Sequence, residues 1–261
     1  MTTEIFTKQN GTFLNVDFIA GDTSRPGIVY LHGLLSNMTS KKGRYLKAFA
    51  QKKGVSYLCF DFSAHGQSWG EPSDFMISHC LQDALEVLEK YTSTPQIIVG
   101  SSMGGWIGLL LCKHVPQKVH AFIGLAPGPD FTKFIWNNLL SEQHKEALKG
   151  GVVLGPSEET KGYCFTYQMF QDAEKHFILD NPLLYNGPVR LLQGDKDVLV
   201  PYQTAFKIKD VLTSEDLIIN LIKGGDHALS SPEHLSILGT TLEGILNQDD
   251  NKNFAKGAVE K

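Results

Sequence analysis

Clusters of positive charge are missing from this sequence. Its 261 residues carry 24 Lys and Arg against 28 Asp and Glu, which leaves a formal charge of -4, and no basic block interrupts the chain. Proteins that bind nucleic acid or anionic lipid through charge need clustered Lys and Arg to neutralise phosphates. We therefore expect no nucleic-acid partner, and the expected partner is a small-molecule or acylated substrate.

Cysteine is scarce and shows no ligand spacing. The cysteines stand far apart and form no C-x-x-C pair of the kind that binds zinc or makes a redox couple. The sequence also lacks the metal motif H-E-x-x-H and the phosphate-binding motif G-x-x-x-x-G-K-[ST]. We predict no metal site, no cofactor and free, mostly buried thiols at Cys59, Cys80, Cys112 and Cys164.

Long apolar runs and targeting signals are also missing. No apolar stretch approaches the roughly 18 residues needed to span a bilayer, so we expect no integral membrane association. Residues 1–10 lack the charged and apolar regions of a secretory signal and are not an Arg-rich amphipathic leader. These features favour a cytoplasmic protein, or a mitochondrial one only if a leader was removed. They do not predict an oligomeric state.

Short apolar runs are what the sequence does contain. Asn10-Gly11 separates two β-rich runs, a spacing typical of an antiparallel hairpin with a type I′ turn. Later apolar runs alternate with helical patterns, which is typical of parallel strands buried on both faces. The predicted strands are 4–9, 12–19, 28–31, 55–60, 97–99, 119–125, 189–192 and 217–222, and the predicted helices are 41–53, 75–91, 103–114, 203–212 and 232–246.

One segment interrupts this alternation. Residues 127–186 are too long for a plain loop and contain helical patterns rich in aromatic side chains. The sequence therefore predicts an α/β fold with a mostly parallel, doubly wound sheet, an N-terminal antiparallel hairpin and an inserted helical cap. We predict the core over 1–126 and 187–247, the cap over 127–186 and a flexible tail over 248–261.

The strongest local motif is Gly100-x-Ser102-x-Gly104, directly after one predicted strand and directly before a helix. A serine nucleophile needs this context, because the sharp turn exposes the hydroxyl and leaves no room for side chains at the two glycines. The N-terminus of the helix would let the amide of Met103 donate to a developing oxyanion. A nucleotide-binding turn would need glycine at position 102. A glycine-rich packing turn is the remaining alternative.

A serine nucleophile needs a base, and the base needs an acid that holds its tautomer. In the usual chain order of this motif the acid and then the histidine follow the serine, each after a strand. Asp197 lies past the predicted strand 189–192 and His227 lies past 217–222. We therefore predict Asp197 as the acid and His227 as the base. Asp195 is the alternative acid, although its position is equally typical of a turn.

A second oxyanion donor is expected after the third predicted strand. There the chain reads His32-Gly33-Leu34, and Gly33 lets the backbone turn so that the Leu34 amide faces the nucleophile. His32 is predicted to be a structural hydrogen-bonding residue rather than a second base. His65 and Ser68, after the next strand, are predicted to be turn or pocket-rim residues.

The predicted cap offers aromatic side chains that could form the wall of an acyl pocket. Phe131, Trp136 and Tyr167 are the candidate substrate-binding residues. The alternative is that these side chains only fix the cap to the core.

Together these motifs resemble the α/β-hydrolase superfamily over nearly the whole chain apart from the cap. The residues that carry the resemblance are His32-Gly33, Asp61, His65-Gly66-Gln67-Ser68, Gly100-x-Ser102-x-Gly104, Asp197 and His227. Residues 100–106, 167–179 and 190–201 are also similar to a branch that contains a mitochondrial palmitoyl-protein thioesterase, which also cleaves acyl glucuronides, and its bacterial relatives. The resemblance implies ester or thioester hydrolysis through an acyl-enzyme, with the matching serine, aspartate and histidine as the catalytic triad.

Two other functions are compatible with such a fold. A C–C bond hydrolase uses a similar scaffold. A non-catalytic ligand-binding protein is the other, but such proteins usually lose a member of the triad, and here all three positions are filled. A dehalogenase is disfavoured because its nucleophile at position 102 would be aspartate rather than serine.

Overall fold

One eight-stranded sheet organises the computed structural model, which describes residues 3–158, 160 and 162–259, with 248–259 described by their backbone only. The strands are β1 (Thr3–Thr7), β2 (Phe13–Ile19), β3 (Ile28–Leu31), β4 (Tyr57–Phe60), β5 (Gln96–Ser101), β6 (Val119–Leu125), β7 (Val189–Gly194) and β8 (Leu217–Ile222). They pair in the order β1-β2-β4-β3-β5-β6-β7-β8. The β1–β2 and β2–β4 pairs are antiparallel and the others are parallel. The predicted fold class is therefore confirmed.

Helices cover both faces of this sheet. They are α1 (Lys41–Lys53), α2 (Ile77–Tyr91), α3 (Met103–His114), α4 (Phe131–Asn138), α5 (Glu142–Lys149), α6 (Tyr167–Glu174), α7 (Gln203–Val211) and α8 (Pro232–Val259), with short 3-10 turns at Pro72–Asp74 and Pro116–Lys118. Successive side chains of a strand point to opposite faces. Val29 of β3 thus packs in the apolar cluster with α2 and α3, whereas Tyr30 packs in the cluster with α1 and α8. This is the doubly wound arrangement.

The N-terminal hairpin forms as predicted, but its turn type differs. β1 ends at Thr7 and β2 begins at Phe13, so the connection is longer than a two-residue turn. Gly11 has a φ of 83°, whereas Asn10 does not adopt a positive φ. Asn10 Oδ1 instead accepts hydrogen bonds from the amide and hydroxyl of Thr12 at 3.0 and 2.7 Å. The predicted type I′ turn is wrong because the asparagine side chain stabilises a wider loop.

The last strand is less buried than its sequence predicts. The run 217–222 is almost entirely apolar, and we expected both faces to be covered. Ile218 is 54% exposed and Leu221 is 46% exposed. The reason is topological, because β8 pairs with β7 alone and stands at the edge of the sheet.

The segment predicted as the cap, residues 127–186, contains α4, α5 and α6 between β6 and β7. It covers α3, of which residues 103–112 are all buried. The indole ring of Trp106 on α3 contacts the rings of Phe131 and Phe177, with centroids 5.6 and 6.2 Å away. The segment therefore packs against the helix that begins at the serine motif.

Two buried carboxylates connect this segment to the rest of the chain. Asp172 accepts hydrogen bonds from the amide and hydroxyl of Ser78 at 2.8 and 2.5 Å. Because the residue that precedes α2 is Met76, which has no polar side chain, Asp172 supplies the cap of that helix. Asp130, with a φ of 57°, accepts from the amides of residues 178–179 at 3.0 to 3.2 Å. The start and the end of the segment are thus fixed to each other and to α2.

The C-terminal helix is longer than predicted. The pattern predicts a helix over 232–246, whereas α8 runs from Pro232 to Val259. The flexible tail predicted over 248–261 lies partly outside the described residues, which end at 259, and its flexibility stays a prediction. Within the described part of the chain, no helix combines the length and the apolar character needed to cross a bilayer.

A buried ion pair between the hairpin and α2 leads to a testable prediction. Lys8 Nζ lies 2.6 Å from Asp83 Oδ1, and the two side chains are 7% and 0% exposed. Lys8→Met would leave the carboxylate buried without its cation, so we expect the free energy of unfolding in urea to fall by about 3 kcal/mol. Lys118→Met is the matched control, because it removes the partner of Glu89, which is 76% exposed. Equal effects of the two substitutions would contradict this interpretation.

Candidate active site

A sharp turn between β5 and α3 holds Ser102, with φ 53° and ψ -116°. Positive φ strains a residue that has a side chain, and such strain concentrates at functional sites. A Cβ atom on Gly104 would lie 2.1 Å from the carbonyl oxygen of Leu31, and one on Gly100 would lie 2.4 Å from that of Gly104. The structure therefore places the two predicted elbow glycines where only a hydrogen atom fits.

Ser102, His227 and Asp197 form a continuous chain of hydrogen bonds. Ser102 Oγ lies 2.9 Å from His227 Nε2, and His227 Nδ1 lies 2.8 Å from Asp197 Oδ2. Because a carboxylate only accepts hydrogen bonds, the histidine proton belongs on Nδ1, which leaves Nε2 to accept from the serine hydroxyl. The three residues follow the C-terminal ends of β5, β7 and β8. The structure thus brings together the residues predicted as nucleophile, base and acid.

The Asp197 carboxylate is enclosed and extensively hydrogen-bonded. Its side chain is 0% exposed. Oδ1 accepts from the amides of Leu199 and Val200, both at 2.9 Å. Burial raises the pKa of Asp197, but the hydrogen bond from His227 and those from the two amides outweigh it, so this pKa lies below its ordinary value. The group is therefore ionised at neutral pH.

Asp195, the alternative acid, has a different contact. Its Oδ1 accepts a hydrogen bond from the amide of Gly224 at 2.6 Å. This bond joins the loop that carries Asp197 to the loop that carries His227. Asp195 thus lies outside the Ser102–His227–Asp197 chain of hydrogen bonds and connects two loops rather than forming a local turn.

Two backbone amides near Ser102 are candidates for an oxyanion hole. Met103 is the first residue of α3, so its amide has no acceptor within the helix. Gly33 packs against the serine, since a Cβ there would lie 3.2 Å from Ser102 Cβ and 3.8 Å from its Oγ. Leu34 follows this glycine and lines the same cavity as Ser102 and His227. The predicted donors, Leu34 and Met103, therefore both lie beside the serine.

His32 supports the loop that carries Leu34. The ring is fully buried, its Nδ1 donates to the Gly33 carbonyl oxygen at 2.8 Å, and its Nε2 accepts from the Phe62 amide at 3.3 Å. Burial and the neighbouring His65 lower the pKa of His32 to about 3, so the ring is neutral. The Gly33 carbonyl and the Leu34 amide belong to one planar peptide group. The structural role predicted for His32 therefore includes orienting that amide.

His65 and Ser68 lie in the turn after β4. The Nδ1 atom of His65 is 3.0 Å from the Ser63 carbonyl oxygen, and Ser68 Oγ donates to the Asp61 carbonyl oxygen at 2.5 Å. Neither residue lines the cavity beside Ser102. Ser68 thus lies in a turn, whereas His65 lies in the same turn and also lines a second cavity of about 210 Å³, which shares Leu34 and Tyr163 with the cavity beside Ser102.

A cavity of about 170 Å³ opens beside Ser102 and His227. A groove of about 490 Å³ adjoins it and shares the walls Phe131, Phe134, Leu199 and Val200. An apolar cavity beside a few convergent polar groups is the usual form of a small-molecule site. Besides the serine and histidine, the cavity is lined by Leu34, Phe131, Phe134, Ile135, Leu139, Tyr163, Val198, Leu199 and Val200.

Two of the predicted substrate-binding residues lie elsewhere. Phe131 lines the cavity, but Trp136 and Tyr167 do not. Their rings pack together at 5.8 Å, and Trp136 also lies 4.9 Å from the ring of Phe170. Helical spacing explains the difference, because Phe134 shares the face of α4 that carries Phe131, whereas Trp136 does not. Trp136 and Tyr167 thus pack against each other within the segment 127–186.

Sequence reasoning missed the apolar residues of the acid loop. Val198, Leu199 and Val200 line the cavity directly after Asp197. Their position directly after the predicted acid was the available signal, because the loop that carries this acid lies at the edge of the cavity.

The structure also shows the state of the four cysteines and the arrangement of possible metal ligands. All four cysteines are free; three are buried, and Cys164 is half-buried. Among the described residues, no group of three or more His, Cys, Asp or Glu side chains is arranged to hold a metal ion.

The fold is that of an α/β hydrolase, and residues 26–154 match the α/β hydrolase fold family. The chain is 33% identical over 225 residues to the mitochondrial palmitoyl-protein thioesterase ABHD10 of Bos taurus, which covers 85% of this chain and 74% of that protein. The protein of the same name from Homo sapiens shows the same identity and coverage. The chain therefore belongs to the α/β-hydrolase family.

Solved structures agree with this assignment. The α/β hydrolase domain-containing protein 10 from mouse superimposes with a TM-score of 0.87 and 31% identity, covering 95% of this chain and 99% of that chain. The crystal structure of a protein from Agrobacterium vitis S4 gives a TM-score of 0.86 and 30% identity, covering 94% and 98%. The two thioesterases from Bos taurus and Homo sapiens are mitochondrial by name. The cytoplasmic location expected from the sequence stays a prediction.

The buried neutral ring of His32 predicts a pH-dependent stability. Its folded pKa of about 3 lies below the ordinary value of 6.5, so the unfolded chain takes up a proton first as the pH falls. The free energy of unfolding should therefore decrease from about pH 6.5 downward by up to about 1.4 kcal/mol per pH unit. His32→Gln removes this component, so the two stability curves, measured by urea titration, should converge at acid pH. Parallel curves would contradict a neutral His32.

Proposed function

We propose that this chain is a serine hydrolase that cleaves carboxylic ester or thioester bonds through an acyl-enzyme intermediate. The observation that carries the proposal is the hydrogen-bonded chain from Ser102 through His227 to Asp197 at the edge of an apolar cavity. The reaction needs no cofactor, because these side chains and two backbone amides supply every group that it requires.

In the first half of the proposed reaction, Ser102 Oγ attacks the carbonyl carbon of the substrate. His227 Nε2 takes the hydroxyl proton, and Asp197 stabilises the imidazolium that forms. The carbonyl oxygen becomes an oxyanion and accepts hydrogen bonds from the Leu34 and Met103 amides. Each such donor stabilises the transition state by about 3 to 4 kcal/mol.

In the second half, the tetrahedral intermediate collapses. The bond to the leaving thiolate or alkoxide breaks, and His227 gives that group its proton. Water then attacks the acyl-enzyme while the same histidine takes a proton from it, and the carboxylic acid is released. Ser102 regains its proton at the end, so each turnover consumes one water molecule besides the substrate.

The apolar cavity supports an acyl group as the part of the substrate next to the serine. If a methylene takes up roughly the 30 Å³ share of a water molecule, the cavity holds about six methylene units. A longer chain would continue past Phe134 into the groove of about 490 Å³. A palmitoyl chain, which the names of the curated relatives mention, would therefore occupy both spaces.

The segment 127–186 supplies much of the cavity wall and is proposed to act as the cap. Phe131, Phe134, Ile135 and Tyr163 come from it. Substrate choice would therefore reside in this segment, while the chemistry resides in the loops of the sheet.

Ser102→Ala tests the nucleophile. Turnover of thioesters and p-nitrophenyl esters should fall by at least about 10⁴-fold, because the acyl-enzyme can no longer form. The melting temperature should change little. Ser101→Ala is the matched control, since Ser101 is a buried serine that directly precedes Ser102 in the chain. It should keep measurable turnover.

Labelling with a fluorophosphonate probe separates the alternatives. An adduct on Ser102 in the parent protein, absent from Ser102→Ala, supports a serine hydrolase. A protein that stays unlabelled while binding acyl ligands would instead be a non-catalytic binding protein. A labelled protein that cleaves C–C bonds but no ester or thioester would contradict the proposed reaction.

A chain-length series tests the acyl site. The kcat/KM of acyl esters should rise steeply with chain length to about six carbons and less steeply beyond, because the first cavity is then filled and the rest of the chain lies in the more open groove. Phe134→Ala should widen the connection between the cavity and the groove and move this change of slope to longer chains. Phe206→Ala is the control, because Phe206 is 45% exposed, as Phe134 is 46% exposed, and lines neither space. A maximum at two carbons in all three proteins would contradict an acyl pocket.

A further inference from the structure

A glutamine lies directly behind the proposed acid. Gln193 is on β7 and is fully buried. Its Nε2 atom lies 3.0 Å from Asp197 Oδ2 and 3.2 Å from the Val200 carbonyl oxygen. Both neighbours only accept hydrogen bonds, so the NH₂ group must face them, and the opposite orientation of the amide would bring three oxygens together.

The other end of the same amide has no partner. Among the described residues, Gln193 Oε1 is one of few buried side-chain atoms without a hydrogen bond. An unpaired buried carbonyl oxygen destabilises the folded state, and an apolar side chain at this position would avoid it. Packing alone therefore does not account for an amide here, whereas the two bonds from its NH₂ group do.

The bond to Asp197 is made at the oxygen that also serves His227. Asp197 Oδ2 accepts from Gln193 and, at 2.8 Å, from His227 Nδ1, while Oδ1 accepts from the amides of Leu199 and Val200. The carboxylate thus has two donors on each oxygen. Gln193 is a side-chain donor that competes with His227 for the same oxygen of this carboxylate.

We propose that Gln193 is a positioning residue for the acid, which fixes the rotation of the Asp197 carboxylate and limits how strongly its Oδ2 attracts the His227 proton. This inference rests on the proposed serine hydrolase function. A carboxylate that shares its charge with a second donor is a weaker acceptor for the first. Gln193 thus weakens the attraction between Asp197 Oδ2 and the proton on His227 Nδ1.

Other charged side chains around the pair are unchanged by a substitution at Gln193. Lys42 of α1 donates to the Ala228 carbonyl oxygen and to Ser230 Oγ, next to the histidine. Asp226 precedes His227, and Asp195 and Lys196 precede Asp197. These charged groups affect the pH profile of the parent and of a Gln193 variant equally. A difference between the two profiles is therefore caused by the loss of the Gln193 amide.

Gln193→Met tests the inference, because methionine has a similar length and no donor. The kcat should fall roughly tenfold with KM unchanged, since a misdirected base slows the chemistry and not substrate binding. The acid limb of the kcat/KM profile should also move to higher pH by about half a pH unit, because the unopposed carboxylate stabilises the imidazolium more strongly. Leu192→Met, a buried change on the same strand, is the control and should move neither quantity.

A second variant guards against a change in packing. Gln193→Glu keeps the shape of the side chain, and a fully buried carboxyl group beside the Asp197 carboxylate stays protonated because two neighbouring carboxylates do not both ionise. Its O–H can still donate to Asp197, so its acid limb should stay closer to that of the parent than the acid limb of Gln193→Met. If both variants lose activity and keep the parent acid limb, Gln193 has only a packing role and the inference is overturned.

Nuclear magnetic resonance provides a readout that does not need turnover. The proton between His227 Nδ1 and Asp197 gives a far-downfield signal, which should move further downfield in Gln193→Met because the acceptor is stronger. An unchanged signal would overturn the inference. If the parent protein shows no Ser102-dependent activity, the proposed function fails, whereas the signal still decides whether Gln193 acts on the His227–Asp197 pair.

Discussion

The close approach of the β5–α3 turn to the end of β3 is the constraint on which the whole site depends. A Cβ atom on Gly104 would lie 2.1 Å from the Leu31 carbonyl oxygen, so only glycine lets the first turn of α3 come this near. That approach brings Ser102 against Gly33, next to the Leu34 amide that is proposed to donate to the oxyanion. A side chain at position 104 would push α3 away and separate the proposed nucleophile from this amide, and small displacements of this kind are costly to catalysis. Packing at one glycine therefore sets the distance that the proposed electrostatic stabilisation requires.

The parallel sheet explains how residues far apart in the chain complete the site. His227 Nε2 and Ser102 Oγ are 125 positions apart in sequence, yet both follow the C-terminal ends of strands, and such ends lie along one edge of a parallel sheet. Contacts behind the triad then fix each group in turn. The Asp195 carboxylate joins the acid loop to the histidine loop, and Gln193 on β7 donates to the carboxylate of Asp197. The proposed triad is thus the outer end of a hydrogen-bond network that begins within the sheet.

The parts of this molecule that the sequence predicts are those determined by neighbouring residues. The strands, the elbow at Ser102 and the order of acid and base follow from local runs and from glycines at fixed spacing. The prediction of the turn at Asn10 is wrong because the asparagine side chain accepts from the Thr12 amide and stabilises a wider loop. The exposure of β8 depends on its place in the sheet, and the packing of Trp136 away from the cavity depends on which face of α4 turns inward. No sequence pattern predicts the role of Gln193. A polar residue within an apolar strand can be interpreted only when the structure shows its partner, here Asp197 four positions later.

The proposed acid and the proposed acyl pocket meet in one short loop. The amide of Val200 donates to the Asp197 carboxylate, its carbonyl oxygen accepts from Gln193, and its side chain forms part of the cavity wall. An acyl chain that fills the cavity must therefore pack against the same loop that fixes the acid. Interactions that are realised only when the catalytic groups are in place increase kcat, whereas interactions made equally in every state change only KM. Because Val200 connects the two, a well-fitting acyl chain would stabilise the orientation of the triad as it binds, so selectivity in the proposed enzyme would be expressed in kcat as well as in KM.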